Sequence, residues 1–171
     1  MTISFSLTRL RRRKRSGAAV VELALVLPLI MILTIGTLEV GRLVEVQQVL
    51  SNGAREGARQ ASLGTLSSDQ VALVVCQYLA EAGLPDYTST RNTVVNVEVA
   101  AAPTYSPWAT ADPTTANKLD GLRVTVTIPA NDVKWSLLYL VTTPTTQIHA
   151  QAVWYSGKNQ SYPAYTDPPI E

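Results

Sequence analysis

Polar and apolar positions divide this chain into three regimes. The first is basic: Arg9, Arg11, Arg12, Arg13, Lys14 and Arg15 crowd the N-terminus, and no acidic residue precedes Glu22. The second is apolar. Between Ala18 and Leu38, Glu22 is the one ionisable residue among mostly Ala, Val, Leu and Ile. Those residues form a helix of roughly 31 Å at about 1.5 Å per residue, close to the thickness of a hydrocarbon core. Pro28 and Gly36 are tolerated in such a helix. A secretory signal would have a shorter apolar region and a small-residue cleavage site after it. A buried helix of a soluble protein does not explain the basic flank. The pattern therefore predicts a basic cytoplasmic leader (1–17), a single transmembrane helix (18–38) and an extracytoplasmic remainder, because basic residues are retained in the cytoplasm.

The third regime begins with helical periodicity. Leu43, Val46, Leu50, Ala54, Gly57 and Ala61 recur at three- and four-residue steps, with Arg42, Glu45, Gln48, Arg55, Glu56 and Arg59 off that stripe. The membrane helix is expected to continue into this amphipathic one. Glu56 and Arg59 are spaced to pair, and Gly53 and Gly57 weaken the helix unless another backbone approaches closely, from a second helix or from the domain's own sheet. Gly64 is a stop signal. A second helix is marked by Ser67 and Gln70 as a capping box, by Val71, Val74, Val75, Tyr78 and Leu79 as its apolar face, and by Gly83 and Pro85 as its end.

After Asp86 the period becomes two. Val95, Val97 and Val99 form one alternating run, Leu122, Val124, Val126 and Ile128 a second, and Ile148, Ala150, Ala152 and Trp154 a third. Asp120-Gly121 reads as a turn before the second run. Pro103 to Asn117 reads as a long surface loop, and Val133, Trp135, Leu137, Leu138 and Leu140 as a short helix or fourth strand covering the sheet. The expected class is α+β: a long N-terminal helix, a short second helix and a small antiparallel sheet of three to four strands. The domain spans 39–155, and a proline-bearing tail, 156–171, is expected to be flexible.

Composition changes this picture little. The formal net charge of +1 is a basic leader offset by a slightly acidic remainder, which gives no reason to expect nucleic-acid binding. The inventory for catalysis is one histidine, His149, in a predicted strand, and one cysteine, Cys76, in an apolar helical run. No zinc spacing, phosphate loop or nucleophile elbow occurs, so no catalytic residue, metal or cofactor is assigned. The exception is Glu22, whose carboxylate is costly in lipid, by about 2.5–3.5 kcal/mol at the bilayer centre and less near the surface. Snorkelling toward Arg13 or Lys14 is one way to relieve it, and a partner subunit is another.

The run Ser16-Gly17-Ala18-Ala19-Val20-Val21-Glu22-Leu23-Ala24-Leu25-Val26-Leu27-Pro28 resembles the opening of TadE-like proteins, the pseudopilins of tight-adherence (Flp-type) pilus systems. The resemblance continues through Leu38-Glu39-Val40-Gly41-Arg42 and ends at Asn52-Gly53-Ala54-Arg55-Glu56-Gly57-Ala58-Arg59. It implies a bacterial inner-membrane protein, a minor pilin or pseudopilin that is not an enzyme and whose partners are the lipid bilayer, other pilus or secretion-system subunits and a prepilin-type peptidase. By analogy the peptidase cuts between Gly17 and Ala18, and Glu22 pairs with a neighbouring subunit's new N-terminal amine. Leu23 departs from the pilin pattern, where an aromatic is common. The alternative is an unprocessed structural membrane protein of the secretion apparatus.

Overall fold

The computed structural model describes residues 16–133, 143 and 145–158. The arginine-rich leader before Ser16, the patch from Trp135 to Leu140 and the tail from residue 159 with its prolines lie outside the described residues. The chain falls into two compact units that divide after Leu38.

Helix α1 runs from Ser16 to Ser62 and contains Pro28. Its residues 17–34 are all exposed within the protein. Among the described residues it is the one helix long and apolar enough to cross a membrane, with a mean hydropathy of 2.6 in its most apolar window. Thr34 and Thr37 donate their hydroxyls back to the carbonyls of Ile30 and Leu33, each at 2.8 Å, so neither needs an outside partner.

In the second unit α1 becomes the spine of a small α+β fold. Its stripe Val46, Leu50, Ala54, Ala58 and Ala61 is fully buried, with Leu43 packed at the margin. Helix α2 (Ser68–Glu81) starts at the expected capping box: Ser67 accepts from the Gln70 N–H, and the Gln70 side chain accepts from the Ser67 N–H at 2.9 Å. It buries Val71, Ala72, Val75, Cys76 and Leu79, whereas Val74 and Tyr78 are only half-buried. Gly64 (φ 65°) and Gly83 (φ 84°) end the two helices in the left-handed region that glycine occupies without strain. A short helix α3 (Arg91–Val94) leads into the sheet.

The sheet is antiparallel, with β2 (Ala109–Thr110), β1 (Val95–Ala100), β3 (Gly121–Pro129) and β4 (Gln147–Tyr155) side by side in that order. Strands β1, β3 and β4 are the three alternating runs of the sequence. Val97, Leu122, Val124, Val126 and Ile128 point into the core, as the period of two requires. Along β4 the cover thins: Ile148 and Ala150 are buried, Ala152 is half-buried, and Trp154, expected on the core face, is 45% exposed.

The segment Pro103–Asn117 is not a plain surface loop. It contributes the fourth strand, β2 (Ala109–Thr110), paired with Glu98 and Val99 of β1, and then a 3-10 turn with buried Pro113. Trp108 holds it down from the outer face: its ring stands under the Arg123 guanidinium, 4.5 Å from centroid, and over Gly121, where an added Cβ would sit 2.9 Å from the ring. Asp120 is more than a turn residue. Its buried carboxylate accepts the N–H groups of Ala102 (3.0 Å) and Asn117 (2.8 Å), and its carbonyl accepts the Ser156 N–H at 2.8 Å.

The close approach that Gly53 and Gly57 anticipate occurs within the domain. A Cβ on Gly57 would meet Val75 at 2.5 Å and Val124 at 3.2 Å, and one on Gly53 would meet Leu79 and Tyr78 at 3.2 and 3.3 Å. A Cβ on Gly41 would meet nothing within 4 Å. Alanine at these positions should therefore act with opposite signs. Gly41→Ala should stabilise by up to about 1 kcal/mol through helix propensity. Gly57→Ala should destabilise by about 1–2 kcal/mol, since overpacking costs about 1–3 kcal/mol and outweighs that gain. Urea denaturation of the full-length protein in detergent measures both, and a stabilised Gly57→Ala would refute the packing.

Candidate functional site: two faces of the long helix

The residues singled out in the sequence lie along α1 and divide by environment. Gly17 and Ala18 occupy its first turn and are exposed, and a Cβ on Gly17 would meet nothing within 4 Å. Glu22 is exposed one turn later, and no donor among the described residues bonds it. Pro28 lies inside the helix, where it removes one backbone hydrogen bond. Glu39 is buried at 3% exposure, and Gly41 is exposed. Arg42 pairs with Glu45 at 2.9 Å and donates to the Val133 carbonyl at 3.5 Å.

The run Ala54 to Arg59 splits the same way. Ala54, Gly57 and Ala58 are core. Glu56 and Arg59 form a two-bonded pair at 2.7 and 2.9 Å, joined by Gln60 at 2.8 Å. The Arg59 and Gln60 bonds hold the Glu56 carboxyl below its ordinary pKa. Arg55 is exposed and makes no ion pair among the described residues. The other described arginines, 42, 59, 91 and 123, each hold a carboxylate.

Residues 17–59 match the family model of TadE-like proteins. The match takes in the whole apolar stretch and the Ala54–Arg59 run, and it ends inside α1 before any strand begins. Neither the curated proteins nor the solved structures contain a match to the chain.

The two candidates for chemistry lie apart in kind. Cys76 is fully buried in α2, and its thiol is pushed up to about 11, first by burial and then by the charge of Asp86, with Arg91 opposing. A thiol so raised is mostly protonated near neutral pH, which suits a packing group. His149 is exposed on β4, and it is its backbone carbonyl that is engaged, accepting Gln47 Nε2 at 2.8 Å. That helix-to-strand bond was not legible in the sequence, where Gln47 is one polar residue among many off the apolar stripe.

The raised thiol and the likewise raised phenol of Tyr87, buried and donating to Asp132 at 3.1 Å, set an alkaline limit. Groups whose folded pKa lies above the unfolded value stabilise fully below the unfolded pKa and lose that contribution as pH rises through the folded one. Stability should therefore be flat near neutrality and fall from about pH 9 to 11. Cys76→Ala should flatten part of that fall while costing stability at pH 7 through a small cavity. Urea midpoints across pH give the test; an unchanged alkaline slope in Cys76→Ala would contradict the assignment.

Proposed function

We propose that this protein is a single-pass membrane subunit of a tight-adherence pilus system, a minor pilin or pseudopilin that assembles through packing of α1. The observation that carries this reading is the coincidence of the TadE-like match with an exposed apolar stretch of α1, residues 17–34, that holds one carboxylate, Glu22. The leader 1–17 lies in the cytoplasm and the domain 39–155 lies outside it. The peptidase cuts between Gly17 and Ala18. Glycine suits that place because it is least committed to helix and lets a protease approach the backbone. Glu22 then acts in assembly, where another subunit's Ala18 amine supplies the opposite charge that lipid does not. Nothing in this role requires a cofactor or nucleic acid.

Four measurements separate the parts of the reading. A periplasm-dependent reporter fused after Tyr155 should be active; activity of only a cytoplasm-dependent reporter would reverse the topology. Gly17→Leu should accumulate a longer precursor carrying its arginines. Glu22→Ala and Glu22→Leu should insert and be cut normally yet assemble poorly, since apolar surface does not replace an ion pair. Mass spectrometry of the mature N-terminus is decisive for processing. A wild-type protein retaining Met1 through Gly17 beside an active prepilin peptidase would leave the unprocessed structural subunit as the function.

A further inference from the structure

The sheet's two edges differ. β2 closes one edge with only two residues. β4 forms the other with nine residues and no proline, lysine, arginine, aspartate or glutamate. Long edges are ordinarily blunted by such residues, by bulges or by a covering element. The β3–β4 register runs unbroken from Pro129↔Gln147 to Gly121↔Tyr155. It is bracketed by Ala130 N–H to the Thr146 carbonyl (2.9 Å) and Ser156 N–H to the Asp120 carbonyl (2.8 Å). Even-numbered residues of β4 therefore turn their backbone groups toward β3, and Gln147, His149, Gln151, Val153 and Tyr155 turn theirs outward. The His149 carbonyl is met by Gln47. No partner bonds the outward groups of Gln151, Val153 and Tyr155 among the described residues.

α1 runs beside this edge. Gln47 touches His149, and shallow depressions continue along the helix, one lined by Gln47, Gln48, Ser51, Asn52 and Arg55, the next by Asn52, Arg55, Trp154, Tyr78 and the paired Glu56 and Arg59. At the far end Val153, Trp154 and Tyr155 are 45%, 45% and 54% exposed.

We infer that the β4 edge, flanked by α1, binds an extended acidic peptide segment of a partner protein as a fifth strand. Each term follows from the surface. Only an extended backbone matches a row of outward N–H and C=O groups. Arg55, the described arginine that lacks a carboxylate, sets the preference for an acidic side chain. Val153, Trp154 and Tyr155 offer apolar contact to alternate side chains of the added strand. The inference concerns the domain alone and does not depend on the pilus reading.

The test uses full-length protein in detergent micelles and an N-acetylated, C-amidated peptide of alternating threonine and valine with one central glutamate. Binding should slow amide hydrogen exchange at Gln151, Val153 and Tyr155 at least tenfold, while Ala150 and Ala152, already bonded to β3, change little. Gln151→Pro removes an outward N–H without touching a β3 bond, as edge strands tolerate, and should abolish binding. Val153→Lys, a side-chain change that leaves the backbone intact, should also weaken it. A lysine in place of the peptide's glutamate should weaken binding to the wild type about two- to fivefold, the range of an exposed ion pair, and make no difference in Arg55→Gln. Equal binding by wild type and Gln151→Pro, or equal binding of the two peptides by wild type, would overturn the inference. So would outward amides already slow in the free protein, which would mean that the chain's own tail fills the edge.

Discussion

The contact on which the domain depends is the approach of α1 to α2 and β3 at Gly57, where even a methyl group would collide with Val75 and press on Val124. Around it lie only small residues of α1: Gly53, Ala54, Ala58 and Ala61, all buried. Such a stripe lets branched side chains of α2 and the sheet pack almost onto the helix backbone. At this contact the large apolar surface comes from the partners, namely Val71, Val75 and Leu79 on one side and Leu122, Val124, Val126 and Ile128 on the other, while α1 adds its own Val46 and Leu50 farther toward its start. Glycine in a helix costs about 1 kcal/mol, and the cost is offset by dense contact that a larger residue would prevent.

The parts of this fold that are legible in the sequence are those governed by local periodicity. The stripe on α1, the Ser67–Gln70 box and the three alternating runs all follow from one residue's relation to neighbours a few positions away. What escapes is set by residues far apart in the chain. β2 is two residues long, too short to announce itself by alternation; it is a strand because Trp108 lies over Gly121 and under Arg123. Trp154 follows the inward parity of β4, but the core's cover runs out before it, and parity cannot report where cover ends. Asp120 was legible as a turn, not as the clasp that joins Ala102, Asn117 and Ser156.

The candidate site was legible in identity and only partly in placement. Arg42, Glu45, Glu56 and Arg59 fall off the apolar stripe as the periodicity requires, and the Glu56–Arg59 pair forms at its expected spacing. Within one short run, Ala54, Gly57 and Ala58 serve the core while Arg55 faces out. A family pattern over such a run therefore mixes two constraints, and its residues do not all speak to function. Glu39 is the reverse case: a carboxylate near the end of the apolar stretch that the second unit buries.

The asymmetry of the sheet has a physical logic of its own. An open row of backbone groups invites indiscriminate pairing, and the two edges restrain it by different means. β2 does so by brevity, with its flanks tied down by Trp108 and by the Asp112 turn, where the carboxylate accepts the Thr114 N–H at 2.9 Å. β4 is long, and the outward carbonyl of His149 is occupied by a side chain of α1, so the helix that would anchor the protein also guards part of its edge. The guard stops at His149. Beyond it the strand carries neither charge nor proline, its side chains grow larger and more exposed, and Arg55 stands alongside without a carboxylate among the described residues. Covering the remainder of that edge would have required further polar residues aimed across from α1. Gln47 shows that the geometry permits it, and the positions farther along the helix, Ser51 and Arg55, do not supply it: the Ser51 hydroxyl turns back to the Gln47 carbonyl at 2.8 Å. Among the described residues the edge is thus closed at His149 and left open where the exposed apolar side chains begin.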